Sequence, residues 1–160
     1  MKFLHISWSK TQKLCEKLAK KVKTYSPEVL VGVSRGGLVP VRLLSDILNI
    51  KSVGVMRIEF YTSLGERMDF PKITQDVSLD LNGKRVLVVD DISDTGRSLQ
   101  VAKDHLKRKG AKEVKFATLH FKPHSIFKPD FYIDETDKWI VYPWEVNEVK
   151  REMKDKGKKK

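Results

Sequence analysis

The chain has a single cysteine, Cys15, in 160 residues, so no internal disulfide can form and no second thiol stands at a metal-ligand spacing. Cys15 lies on a helical pattern and reads as core packing. No apolar run approaches the ~20 residues of a helical membrane span, and the opening MKFLHISWSK lacks the apolar centre of a signal peptide. A cytoplasmic protein with no membrane partner is expected. No G-x-x-x-x-G-K-[ST] occurs, which excludes a Walker-type loop. No internal repeat, low-complexity block or linker divides the chain, and its length suits one domain with one core. Acids are the minority charge: 21 Asp and Glu against 32 Lys and Arg leave +11. Such an excess favours acidic partners, either nucleic acid or a small polyphosphate. Lys150 to Lys160 supplies +5 of it and reads as a frayed, solvated basic tail, residues 150–160.

Among what is present, the stretch VLVVDDISDTGRSL, Val86 to Leu99, dominates. Val86, Leu87, Val88 and Val89 read as a strand buried on both faces, as inside a parallel sheet. Asp90 and Asp91 follow, then Asp94, then the polar turn Thr95-Gly96-Arg97-Ser98 running into the helical pattern Leu99, Ala102, His105, Leu106. A helix start leaves about four backbone N–H groups unpaired and favours anions. Thr95 and Ser98 can add hydroxyl donors, and Gly96 removes side-chain obstruction. Asp90 and Asp91 repel phosphate but suit a sugar diol or a divalent cation. Together these features suit a ribose 5-phosphate.

A second strand, Val29 to Val33, breaks at Ser34-Arg35-Gly36-Gly37 before a helix from Leu38 to Leu48. Arg35 offers a forked donor to phosphate beside two unobstructed glycines. Ser9 with Gln12 forms a capping-box start for a first helix continuing through Leu14, Leu18 and Val22. Ser52 to Ile58 reads as a third strand. Glu59 to Leu81 has no clear period and reads as a lid. The helix after Ser98 ends at Gly110, a C′ glycine, and Val114 to Leu119 is the next strand. Strands alternating with helices indicate an α/β, doubly wound parallel sheet with ligands outside the carboxyl ends of its strands. The remainder is rich in proline and aromatics, a hydrophobic cover.

VLVVDDISDTGRS resembles the signature that binds phosphoribosyl pyrophosphate (PRPP) in type I phosphoribosyltransferases, and SRGGLVP resembles their pyrophosphate loop. FKP…DKWIVYPWE is similar to the hood of the xanthine-guanine and hypoxanthine-guanine members. The resemblance covers about Lys2 to Asn147. It implies a phosphoribosyltransferase domain over residues 1–149, with a hood at about 121–147 and a lid at about 59–81. It further implies transfer of the phosphoribosyl group to N9 of a 6-oxopurine, giving a nucleoside 5′-monophosphate and pyrophosphate. By motif match, PRPP contacts Asp90, Asp91, Asp94, Thr95, Gly96, Arg97 and Ser98. Pyrophosphate contacts Ser34, Arg35, Gly36, Gly37, Tyr61 and Arg67, and the family's Ser-Tyr pair is Phe60-Tyr61 here. The purine contacts Lys122 at O6, Trp139 by stacking, Ile140 by its carbonyl, and Glu145, which replaces a hood aspartate. The resemblance also implies Mg²⁺ held by Asp91, Asp94 as the catalytic acid–base group, a cis peptide between Arg35 and Gly36, and a homo-oligomer, dimer or tetramer. Two rival readings remain: an adenine-specific member, and an RNA-binding regulator on the same fold. Nucleic acid is not the expected partner, because lid and hood are both present.

Overall fold

Val86 to Val89 alternate between two apolar layers, which is why every one of them is buried. They belong to β5, Arg85–Ser93, in a computed structural model that describes residues 2–62 and 69–157. Leu87 and Val89 face one core with Leu30, Leu14, Leu18 and Leu44. Val86 and Val88 face the other with Val31, Met56, Leu99 and Leu106. Full burial of one such side chain is worth about 1.5–3 kcal/mol.

In chain order the elements are β1 (Phe3–His5), α1 (Trp8–Val22), β2 (Val29–Ser34), α2 (Leu38–Leu48), β3 (Val53–Thr62), β4 (Asp69–Gln75), β5, α3 (Arg97–Arg108), β6 (Glu113–Phe121), β7 (Asp134–Glu135), β8 (Trp139–Val141) and α4 (Val146–Gly157). The main sheet runs β4-β3-β2-β5-β6-β7. All its pairs are parallel except β3 with β4. Side chains of α1 and α2 cover one face and those of α3 the other, the doubly wound arrangement expected. β1 and β8 form a separate parallel pair, with Phe3 opposite Trp139. Cys15 is fully buried in the first core, and burial pushes its thiol up to about 12.

Four local expectations need correction. The cap of α1 is Ser7, whose Oγ accepts the Lys10 N–H at 3.1 Å, while Gln12 binds Glu16 on the helix surface. The cap stands two residues before Ser9 and the helix opens at Trp8, because Ser7 is the last residue with extended backbone. The third strand does not stop at Ile58: it continues to Thr62 and turns back as β4, so the described parts of the expected lid are largely a hairpin. Phe60, Tyr61 and Phe70 are exposed on this hairpin, which hid its period, and Pro71 is tolerated because β4 is an edge strand. Asp90 and Asp91 lie inside β5 rather than after it, Asp90 opposite Thr118 of β6. The tail from Lys150 continues α4 as far as Gly157, with side chains 151–156 exposed. Gly110 does follow α3 with φ +89°, the left-handed C′ position.

Candidate active site

Because β2, β5 and β6 are parallel, their carboxyl ends deliver the Ser34-Arg35-Gly36-Gly37 turn, the acids and Lys122 to one edge. The first turn packs directly on the acids: a Cβ added at Gly36 would lie 2.5 Å from the Asp91 carboxylate. Only glycine permits that approach. The cis peptide joins Ser34 and Arg35, not Arg35 and Gly36. In the turn, Gly37 N–H donates to Val33 O at 2.8 Å and Leu38 N–H to Arg35 O at 3.1 Å.

A cavity of about 630 Å³ opens at this edge, within the roughly 300–1,000 Å³ of small-molecule sites. Ser34, Arg35, Gly36, Asp90, Asp91, Asp94, Ser98, Lys122, Trp139, Ile140 and Glu145 all line it. A neighbouring cavity of about 380 Å³ is lined by Phe60, Thr95, Gly96, Arg97 and Ser98. The two share Asp90, Ile92, Asp94 and Ser98, so an occupant of both would pass over these residues. Lys122 is buried, and its ammonium donates to Asp137 O at 3.2 Å and to Lys138 O, leaving a third proton for the cavity. An acidic edge, a glycine turn, an uncapped helix start and a buried lysine thus converge on one connected space.

Residues 7–155 match the family profile described as phosphoribosyl transferase domain. The chain belongs to the phosphoribosyltransferase family. The xanthine-guanine phosphoribosyltransferase of Idiomarina loihiensis is 30% identical over 145 residues, covering 89% of this chain and 86% of that protein. The purine phosphoribosyltransferase of Pyrococcus horikoshii superposes with a TM-score of 0.83 at 42% identity, covering 90% and 94% of the two chains. The xanthine-guanine-hypoxanthine phosphoribosyltransferase of Helicobacter pylori gives 0.79 at 27% identity, covering 94% and 99%. The sheet is that of the type I phosphoribosyltransferase fold.

The candidate cradle starts α3 at Gly96, which offers no side-chain cap, with no acidic residue in the first turn; the Arg97 N–H meets Thr95 Oγ1 at 3.5 Å, and a helix start of this kind suits an anion. Gly96 sits at φ +81°, and a Cβ there would strike Ser125 Oγ at 2.5 Å and Phe127 N at 2.6 Å. Its smallness therefore serves the packing of the 125–127 segment as well as the turn. Burial raises the Asp91 carboxyl to about 6, with Glu145 the next cause, and raises Asp90, with the Asp91 charge next. Neither acid has an ion-pair partner among the described residues. Two crowded carboxylates without a cation are the oxygen set a divalent metal suits. The family generally uses Mg²⁺ with PRPP.

Beneath the acids, Tyr142 donates its hydroxyl proton to Asp91 O at 3.0 Å, so the His120 contact at 2.7 Å must run from His120 Nδ1–H to the tyrosine oxygen. His120 Nε2 is then bare and buried without a partner among the described residues, and burial pushes the imidazole down to about 4. Neutral His120 thus fastens Tyr142, three residues before Glu145, under the acidic strand.

Not every expected contact is brought together. Tyr61 lines neither cavity; its hydroxyl reaches Glu59 at 3.4 Å, while Phe60 on the neighbouring position faces the cradle. Gly37 packs against Val33 and Val89 O behind the turn. Arg67 lies outside the described residues. Glu145 Oε1 accepts the Tyr142 N–H at 3.0 Å, and burial raises its carboxyl. Three residues that sequence reasoning passed over also belong here: Tyr142, His124, whose Nε2 is 2.9 Å from Asp94 Oδ1, and Glu148, which holds Arg35 through both oxygens at 2.8 Å. Glu148 could have been found from the spacing Glu145, Glu148, Glu152, which puts two acids on one face of α4 and a third just before its start.

Proposed function

We propose that this phosphoribosyltransferase joins PRPP to N9 of a 6-oxopurine (hypoxanthine, guanine or xanthine), releasing pyrophosphate and the nucleoside 5′-monophosphate. The observation that carries the reading is Lys122: a buried, donor-only cation lining the same cavity as Trp139 and the acidic edge. The names of the relatives, which include purine, xanthine-guanine and hypoxanthine-guanine enzymes, support it. As pyrophosphate leaves C1′, positive charge develops on the ribose and N9 attacks. Thr95, Ser98 and the N–H groups at the start of α3 hold the 5′-phosphate, while Asp90 accepts the ribose hydroxyls. Bound Mg²⁺, with Asp91 as its protein ligand, would offset the charge of the departing pyrophosphate. Arg35 binds that pyrophosphate, Asp94 manages the proton of the base, Trp139 stacks on it, and the Ile140 carbonyl faces its exocyclic group. Assaying hypoxanthine, guanine, xanthine and adenine with PRPP and Mg²⁺ tests the assignment. Nucleotide should form from at least one 6-oxopurine and faster than from adenine; turnover of none of the four would overturn it.

Glu148 occupies one guanidinium nitrogen of Arg35 and so competes with pyrophosphate for it. Both groups are exposed, so their attraction is of the modest surface kind, about 0–1 kcal/mol. Glu148→Gln is therefore expected to lower the KM for PRPP about two- to fivefold. Initial rates at varied PRPP measure it, and a raised KM would show that Glu148 instead presents Arg35 to the substrate.

A further inference from the structure

We propose that His124 is a positioning residue for Asp94: its imidazole fixes one carboxylate oxygen so that the other is presented to the purine. The inference rests on the reading that Asp94 faces the base.

His124 Nε2 and Asp94 Oδ1 are 2.9 Å apart, and no described residue bonds Asp94 Oδ2. Opposite an ionised carboxylate, Nε2 must carry the proton and donate. Asp94 lines both cavities, whereas His124 lines neither, so the histidine reaches the reaction only through the aspartate. Both side chains are more than half exposed, at 62% and 57%, and an exposed pair contributes little stability. Folding alone gives no reason for it.

The backbone on both sides of the pair is anchored, which an incidental surface contact would not need. Next to Asp94, the Ser93 carbonyl accepts the Lys122 N–H at 3.0 Å and the Ser93 hydroxyl meets Ser125 Oγ at 2.9 Å and Phe127 O at 2.7 Å. On its other side, Thr95 O accepts the Ile126 N–H at 3.1 Å. His124 itself is enclosed by a turn in which Ser125 N–H donates to Lys122 O at 3.0 Å. These bonds splice the segment after β6 onto the PRPP turn and hold imidazole and carboxylate at a set separation. The segment that supplies the O6 donor, Lys122, thereby also sets the rotamer of the group assigned to the base's proton. A carboxylate held in one orientation before the base arrives needs no reorganisation in the transition state.

His124→Ala, His124→Gln and the double variant Asp94→Asn/His124→Ala test this in steady-state assays with hypoxanthine, alongside thermal melting. His124→Ala should lower kcat about tenfold, the order of one charge-assisted hydrogen bond, with the KM for PRPP within about twofold and melting unchanged. His124→Gln keeps an N–H donor and should recover kcat to within about threefold of wild type. In the Asp94→Asn background, removing His124 should have no further effect, because the two act as one unit. An unchanged kcat in His124→Ala, a glutamine variant no better than alanine, or additive losses would each overturn the positioning role. An inert Asp94→Asn would overturn the underlying reading of Asp94 instead, which keeps the two failures apart.

Discussion

Asp94→Asn should lower kcat by about 10²- to 10⁴-fold, the usual worth of general acid–base assistance, while PRPP binding measured by calorimetry stays near wild type. The substitution preserves volume and an oxygen that can still accept from His124, so the turn keeps its shape and only the proton-accepting group is lost. Turn aspartates often act as local caps on backbone N–H groups. Here no described backbone group bonds the Asp94 carboxylate, and its recorded partner is a side chain from the segment after β6. The 5′-phosphate site proposed at the start of α3 should survive, since no first-turn N–H of that helix bonds the Asp94 carboxylate among the described residues. A loss of less than about threefold would reduce Asp94 to a loop-shaping residue.

Lys122→Met should cut kcat/KM for hypoxanthine and guanine by roughly ten- to a hundredfold or more, again with PRPP binding nearly intact. An ammonium has protons to give and no lone pair, so it accepts a carbonyl at the purine 6-position and repels an amino group. Two of its protons already go to Asp137 O and Lys138 O, which aims the third and excludes the solvent-pointing orientation usual for a lysine. Losing the ammonium also frees these two carbonyls, just before Trp139, but both belong to exposed residues that water can reach. The loss should therefore depend on the base. Trp139→Ala, which removes only the stacking face, should weaken all purines alike. A wild-type enzyme that used adenine faster than every 6-oxopurine would refute the argument from Lys122 while leaving the family membership untouched.

The parts of the site carried by contiguous residues were legible in the chain. Val86 to Ser98 states strand, acids, turn and helix start in order, and Ser34 to Gly37 does the same at β2, because burial on both faces leaves an uninterrupted apolar run. Lys122 was placed at the same edge by the strand before it. What escaped was whatever depends on residues far apart in sequence or on a surface without periodicity. The β3–β4 hairpin projects aromatic side chains into solvent, so neither face alternates cleanly, and its pairing is visible only from the bonds between strands. His124 with Asp94, Glu148 with Arg35, and His120 with Tyr142 and Asp91 are side-chain encounters across separate elements. No spacing within one element encodes them. The cis bond is displaced by a single position, a detail no spacing of residues in the turn encodes.

The pairing of β1 with β8 has a consequence for biosynthesis. The backbone N–H of Trp139 donates to Lys2 O at 3.0 Å, and that of Ile6 to Val141 O at 3.0 Å, so the strand that carries Trp139, the proposed stacking face for the base, is seated on a segment translated long before it. Such a contact, spanning nearly the whole chain, forms only after its last partner has been made, whereas β2, β3, β5 and α3 can pair beforehand. A nascent polypeptide could thus acquire its sugar-phosphate half well before it can discriminate between nucleobases. The β1 segment waits for β8 and is then paired with it.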